Sequence, residues 1–306
     1  MYWLLEYVCF FSGMCCALKF SGELYNSLRG LLAKNNLNKY GQKSWCVVTG
    51  ATDGIGAGFA RTLAKNGFNI VLVSRNQQKL EDFKTDLVSK YGIEARVIAK
   101  DFTACTENPQ EFFSDIVDRT RDLDVSILVN NVGTAHFSYF HDTPLSSVLS
   151  QNALNIWPIV YLTRMYLPKF YQRSKPSAVI NLASTGAILP ISAVSQYTAG
   201  KSFDHVFTTC LWEENAYTVR KEGYSGVDVL SLQPAWVETP LTKASSIKLG
   251  VITPEECAER TLKVLGNATY SNVHWKHMLY GAIYRTIPTY LNAKFTLSMA
   301  KKKKNN

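Results

Sequence analysis

The chain has 306 residues, 46% of them hydrophobic, and a formal charge of +9. That is enough apolar material for a substantial core, which argues against a disordered chain except at its ends. The basic residues are scattered apart from Lys301 to Lys304, so nucleic acid is not expected as a partner, and the charge suits an anionic cofactor, an acyl-CoA or a lipid headgroup. The seven cysteines form no Cys-x-x-Cys pair and are expected to be reduced, buried thiols facing the cytosol. His274 and His277 have no matching carboxylate or cysteine pair, and no metal site is expected.

Residues 2–20 are almost wholly apolar, broken by Glu6 and closed by Lys19. The uncharged stretch from Tyr7 to Leu18 is shorter than the roughly 20 residues of a spanning helix, which leaves spanning and interfacial attachment both open. Lys19, Arg29, Lys34, Lys39 and Lys43 follow it, so the positive-inside rule puts the main domain on the cytosolic side. At the other end, residues 275–299 mix aromatic and aliphatic residues with Lys276, Arg285 and Lys294, and Pro288 interrupts them. That pattern is interfacial. The closing lysines resemble a dilysine retrieval signal of the endoplasmic reticulum. Three parts are expected: a membrane-associated segment and linker over 1–43, a nucleotide-binding domain over 44–270, and an interfacial segment over 271–306.

Between these ends, short β-branched runs alternate with longer amphipathic stretches. This predicts an α/β fold, a doubly wound and mostly parallel sheet with helices on both faces. The first strand, 45–48, runs into the turn TGATDGIG over 49–56, after which Ile55, Phe59 and Leu63 recur at helical spacing. A strand, a glycine turn and a helix N-terminus form a phosphate cradle, because glycine backbone can approach a pyrophosphate and the first helical N–H groups favour its charge. The second strand, 69–73, ends at Arg75, where an NAD site often carries an acidic residue. A guanidinium suits a 2′-phosphate and favours NADPH. A helix over 77–90 and a strand over 95–99 lead to Asp101, which could accept from an adenine amino group or cap the loop.

The fourth strand, 125–129, runs into Asn130-Asn131-Val132-Gly133, whose amides could stitch strand edges together and contact a ribose. A helix over 144–171 should bend beside Asn155, since Pro158 has no N–H for the carbonyl of Leu154. Such a bend frees a carbonyl that can hold water. The fifth strand, 178–182, delivers Ser184 to the edge where ligands of open sheets collect. Thirteen residues later, Tyr197 and Lys201 stand four apart on a helix, and hence on one face. A phenol ionises near pH ~10, and a fixed cation beside it favours the phenolate. The pair therefore has the chemistry of a general acid that protonates a carbonyl oxygen as hydride arrives at its carbon. Phe203, Phe207 and Leu211 continue this helix and are expected to form its buried face, and a strand over 227–232 then leads into PAWVET at 234–239.

With these motifs in order, residues 44–266 resemble the short-chain dehydrogenase/reductase family, of Rossmann-type fold. The apolar N-terminus, the run TDGIG, Val132 and the lysine tail resemble its microsomal branch of very-long-chain 3-oxoacyl-CoA reductases, 17-beta-hydroxysteroid dehydrogenases of types 3 and 12, and nematode steroid dehydrogenase-like proteins. The resemblance implies Tyr197 as general acid, with Lys201 lowering its pKa and contacting the ribose. It implies Ser184 orienting the substrate carbonyl and Asn155 holding a relay water. Gly50, Thr52, Asp53, Gly54, Ile55 and Gly56 would contact the pyrophosphate region. Asn130, Pro234, Val237 and Thr239 would line the adenosine and nicotinamide sides, and the segment Leu241 to Ile252 takes the place of the family's substrate loop. Trp236 is bulkier than the residue often found there.

The resemblance implies an NADPH-dependent reductase of a lipid ketone at the endoplasmic-reticulum membrane, its catalytic domain facing the cytosol. The expected reaction is 3-oxoacyl-CoA to 3-hydroxyacyl-CoA in long-chain fatty-acid elongation, with membrane lipids and other elongation enzymes as partners and a homo-oligomer left open. A ketosteroid substrate is the alternative within the same chemistry. A catalytically silent nucleotide-binding scaffold is the alternative of another class.

Overall fold

The computed structural model describes residues 2–32, 36–188, 191–242 and 250–287, and beyond them residues 290, 291, 293, 294, 296 and 297. The lysine tail, Pro288 and most of the segment Leu241 to Ile252 lie outside the described residues. In chain order the elements are α1 (Tyr2–Leu32), β1 (Trp45–Thr49), α2 (Gly54–Lys65), β2 (Asn69–Ser74), α3 (Gln77–Tyr91), β3 (Ala95–Ala99), α4 (Pro109–Asp118) and β4 (Val125–Asn130). They continue as α5 (Leu145–Asn155), α6 (Trp157–Tyr171), β5 (Ser177–Leu182), α7 (Ser195–Glu222), β6 (Val227–Leu232), α8 (Pro254–Val264), β7 (Tyr270–Ser271) and α9 (Trp275–Thr286).

The strands form one sheet in the order β3-β2-β1-β4-β5-β6-β7, and each neighbouring pair is parallel. A parallel sheet is covered on both faces, which is why β1, β2 and β4 read as nearly continuous apolar runs. Val48, Ile70, Leu72, Ile180 and Leu230 face a core shared with Phe59 and Leu63 of α2, Leu80 of α3 and Leu262 of α8. Val47, Val71, Leu128 and Val179 face the other core, with Phe113 of α4, Ala153 of α5, Leu162 and Tyr166 of α6 and Leu211 of α7. Burying each such aliphatic side chain stabilises the fold by about 1.5–3 kcal/mol before entropy is counted. The fold is therefore the doubly wound Rossmann-type sheet expected. The chain reverses its direction of travel across the sheet between β1 and β4, which opens the crevice where ligands of such sheets bind.

Two expectations about helices change in detail. The stretch over 144–171 is two helices, because Ile156 N–H bonds back to Asn152 O at 3.0 Å while Pro158 at the start of α6 has no N–H to offer. The Phe203/Phe207/Leu211 row of α7 is only partly its buried face: Leu211 lies in the core and Phe207 packs half-buried against it, but Phe203 does not. Phe203 is 39% exposed, whereas Thr198, Lys201, Asp204, Thr208, Leu211 and Asn215 are buried. This stripe is mostly polar, and β5 and α6 supply partners for it: Asn181 Nδ2 donates to Thr208 Oγ1 at 3.0 Å, and Tyr171 O–H to Asn215 Oδ1 at 2.8 Å. A hydrophobic-spacing argument cannot see a face buried by hydrogen bonds.

Among the cysteines, Cys46, Cys105 and Cys257 are buried, but Cys9, Cys15, Cys16 and Cys210 are exposed. The first three of those exposed thiols lie on α1, which also leaves Trp3, Leu4, Phe10, Phe11 and Leu18 exposed. Among the described residues no helix is long and apolar enough to cross a membrane.

Candidate active site

β1 leads into Gly50 (φ +61°) and then Gly54 (φ +53°), where α2 starts. A Cβ on Gly56 would collide with the Gly50 carbonyl, so the turn closes on itself more tightly than any side chain allows. The first intrahelical bond of this turn runs from Ala57 N–H to Asp53 O at 3.3 Å, and the N–H groups of Gly54, Ile55 and Gly56 precede it. A cradle of this shape, with helical N–H groups at its end, fits a dinucleotide pyrophosphate. Asn131 braces it from β4: Nδ2 donates to Thr49 O at 3.0 Å and to Gly50 O at 3.2 Å, while the Asn131 N–H donates to Thr49 Oγ1.

Around the cradle, Thr52 Oγ1 lies 3.0 Å from Ser74 Oγ, and the exposed Asp53 carboxylate is 3.6 Å from Lys79 Nζ. Arg75 is exposed at the end of β2. Asp101 acts as the loop cap, its Oδ1 accepting from the N–H and the hydroxyl of Thr103 at 3.0 and 2.8 Å. Asn130 does the stitching that the sequence suggested. Its two amide hydrogens go to Thr163 Oγ1 at 3.1 Å and Asn181 Oδ1 at 2.8 Å, so neither is left for a ribose.

The catalytic candidates come from three elements. Ser184 follows β5, and its Oγ accepts from Gly186 N–H at 3.1 Å. Lys201 is 3% exposed; its ammonium donates to Leu182 O at 2.6 Å and to Asp204 Oδ2 at 3.0 Å, and lies 6.0 Å from the centre of the half-buried Tyr197 ring. Leu182 is two residues before Ser184, so this one bond ties the tyrosine–lysine helix to the serine strand. Asn155 Oδ1 accepts from Thr134 N–H at 2.8 Å and its Nδ2 donates to Thr134 O at 3.0 Å, so the side chain grips backbone. A Cβ on Gly133 would sit 2.9 Å from Asn155 Oδ1 and 3.5 Å from Lys201 Nζ, and glycine is what lets this loop pass.

Pro234 O accepts from Thr185 N–H at 3.0 Å, which fastens the post-β6 segment to the serine loop. Val237 bridges to Ile252, and Thr239 comes within reach of Gly54, where an added Cβ would lie 2.9 Å from Thr239 Cγ2. His277 on α9 joins the same segment to the chain beyond it, accepting from Ala235 N–H at 3.3 Å and bonding Gly250 O through Nε2 at 3.0 Å. Burial holds its pKa below the usual histidine range.

Two residues to which sequence reasoning gave no part in the site matter here: His277, seen only as a histidine without metal partners, and Asp204, three residues after Lys201. Asp204 is fully buried, and its Oδ1 has no hydrogen-bond partner among the described residues. Burial raises its pKa from 3.8 to about 6 against the pull of Lys201.

Residues 44–249 match the family model described as short chain dehydrogenase. The chain is 34% identical over 290 residues to a very-long-chain 3-oxoacyl-CoA reductase of Macaca fascicularis, covering 93% of this chain and 89% of that one. It is 32% identical to very-long-chain 3-oxoacyl-CoA reductase-B of Danio rerio, covering 90% and 87%. Among solved structures, L-sorbose reductase from Gluconobacter frateurii, complexed with NADPH and L-sorbose, aligns with TM-score 0.64 and 26% identity over 76% of this chain and 93% of that one. A 7beta-hydroxysteroid dehydrogenase aligns with TM-score 0.74 at 24% identity over 85% of this chain and 99% of that one, a likeness of fold. With a family model matched from β1 through β6 and relatives matched along most of its length, the chain belongs to the short-chain dehydrogenase family and is an NAD(P)-dependent oxidoreductase.

Proposed function

We propose that the protein uses NADPH to reduce the keto group of a long-chain 3-oxoacyl-CoA, giving the 3-hydroxyacyl-CoA of fatty-acid elongation. One observation carries the choice of substrate: the 34% identity to a very-long-chain 3-oxoacyl-CoA reductase extends over 93% of the chain, well past the nucleotide-binding half. The residues at the crevice support the chemistry.

A reduced nicotinamide, when bound, supplies hydride to the keto carbon. Backbone from Gly50 through Thr52, Asp53, Gly54, Ile55 and Gly56 would hold its pyrophosphate, Arg75 its 2′-phosphate, and Pro234, Val237 and Thr239 its nicotinamide side. Ser184 Oγ already accepts from Gly186 N–H, which leaves its own hydrogen to donate to the substrate ketone oxygen. Tyr197 gives its proton to that oxygen as negative charge develops there. Lys201 has three N–H groups and spends two on Leu182 and Asp204, so the third remains for a ribose hydroxyl beside Tyr197. The side chain of Asn155 spends one amide hydrogen and one acceptor site on Thr134, and the backbone carbonyl freed at the α5–α6 break would hold a relay water beside it.

The exposed apolar row on α1, together with Trp275 and Leu279 on α9, supports attachment to a lipid surface. We place the enzyme on the cytosolic side of the endoplasmic-reticulum membrane, among other elongation enzymes. The test is NADPH oxidation by the full chain in phospholipid membranes, with a long-chain 3-oxoacyl-CoA and with a 17-keto steroid. Faster turnover of the acyl-CoA, and accumulation of 3-oxoacyl species on loss of the protein, are expected. A preference for the steroid would overturn the choice of substrate.

A further inference from the structure

We propose that Asp204 is a positioning residue of the active site: the buried counter-ion of Lys201, which fixes that ammonium and offsets its charge beside Tyr197, and so sets the pH at which the enzyme ceases to act as a proton donor. The inference rests on the reading of Tyr197 and Lys201 given above.

The geometry is specific. Asp204 stands three residues after Lys201 on α7, on the same buried stripe, and its Oδ2 lies 3.0 Å from Lys201 Nζ, with both side chains almost wholly removed from solvent. Its other oxygen has no hydrogen-bond partner among the described residues, so the carboxylate is devoted to a single ammonium. A carboxylate in that position does two things to the site. It fixes the lysine head between the end of β5 and α7, and it offsets a large part of the positive field that Tyr197 feels, since two opposite charges about 3 Å apart act at longer range more like a dipole than like a bare cation.

Among the described residues no other carboxylate competes for this role. Of the elements packed on α7, β5, α5 and the short helical turn Thr185–Ile188 carry no ionisable side chain. β6 brings only Asp228, which accepts from Tyr40 O–H at 2.7 Å and pairs with Lys39 at 2.6 Å. His205, on α7 itself, bonds Ser231 Oγ through Nδ1. The loop that passes Lys201 at Gly133 carries His136, whose backbone N–H is held by Gln151 Oε1. Burial raises the Asp204 carboxyl above its ordinary range against the pull of Lys201, so Lys201 is a less compensated cation in acid than where Asp204 is ionised.

The experiment uses the full-length protein in detergent micelles, labelled with carbon-13 at the tyrosine ζ position, the Tyr197 resonance being assigned by its loss in Tyr197→Phe. Its titration is followed in wild type and in Asp204→Asn, beside the pH–rate profile for NADPH-dependent ketone reduction. The Asn variant should titrate about one pH unit lower at Tyr197, and its reduction rate should fall off correspondingly earlier as pH rises. A second neutral variant, Asp204→Ser, should show the same downward displacement of the Tyr197 titration, which keeps the inference testable if Asp204→Asn does not fold. An unchanged Tyr197 titration in a folded Asp204→Asn or Asp204→Ser protein would overturn it. Absence of turnover on any ketone would sink the reductase reading instead, and the resonance would still decide the part played by Asp204.

Discussion

Asn155 holds the backbone of Thr134 from both sides, accepting its N–H at 2.8 Å and donating to its carbonyl at 3.0 Å. One amide side chain thus replaces a missing strand partner for the loop that follows β4, and that loop carries Gly133 past Lys201. Asn155→Asp keeps the shape but turns the donor into an acceptor facing the Thr134 carbonyl. It should lower stability by about 1–3 kcal/mol and turnover by at least about tenfold, because a half-buried carbonyl loses its partner close to Lys201. Denaturant unfolding together with steady-state rates checks this; an Asn155→Asp enzyme with wild-type values would mean the loop is held elsewhere.

Arg75 lies exposed at the end of β2, on the rim of the cradle. Arg75→Glu should cut kcat/KM with NADPH by about tenfold or more and raise the relative use of NADH, since a carboxylate repels a 2′-phosphate and accepts from a 2′-hydroxyl. The ratio of kcat/KM for the two cofactors is the measurement. An unaltered ratio would leave Arg75 as a residue of the solvent rim.

Asp204 gives the fold a pH dependence of definite sign. Its folded pKa, about 6, lies above the ordinary 3.8, so the neutral carboxyl is the form that the folded chain favours. The stability contributed is fully present below the ordinary value and is lost as pH rises through the folded one, a change on the order of 3 kcal/mol. Comparing the unfolding free energies of wild type and Asp204→Asn at about pH 5 and about pH 7.5 isolates it: wild type should lose stability relative to the variant on going to the higher pH. An opposite trend would mean that Lys201 stabilises the carboxylate more than burial penalises it.

Much of this architecture is legible in the chain because a parallel sheet buries both faces of each strand. β1 through β6 stand out as apolar runs that end at turn residues, and their expected bounds lie within a residue or so of the observed ones. β7 is not legible, since Tyr270–Ser271 is too short to show any periodicity. α4 and α8 carry start signals that only the structure brings out: Asn108 before Pro109 accepts from Glu111 N–H, and Thr253 before Pro254 accepts from Glu256 N–H. The motif residues of the site are all visible as motifs, and the structure collects Ser184, Tyr197, Lys201 and Asn155 about the C-terminal ends of β4 and β5. The hidden part is polar packing. Whether Asp204 faces solvent or lysine depends on how α7 rotates against the sheet, and the apolar row of Phe203, Phe207 and Leu211, whose first member is exposed, indicates that rotation only in part.

On the function proposed above, Tyr197 donates the proton in the reduction of a 3-oxoacyl-CoA. Stopped-flow or steady-state oxidation of NADPH by wild type and Tyr197→Phe, with a long-chain 3-oxoacyl-CoA in phospholipid membranes, tests it most directly. Turnover by wild type, a loss of at least about a hundredfold in kcat in the Tyr197→Phe variant and NADPH affinity within about threefold are predicted. A Tyr197→Phe enzyme that reduces the acyl-CoA at the wild-type rate would contradict the account.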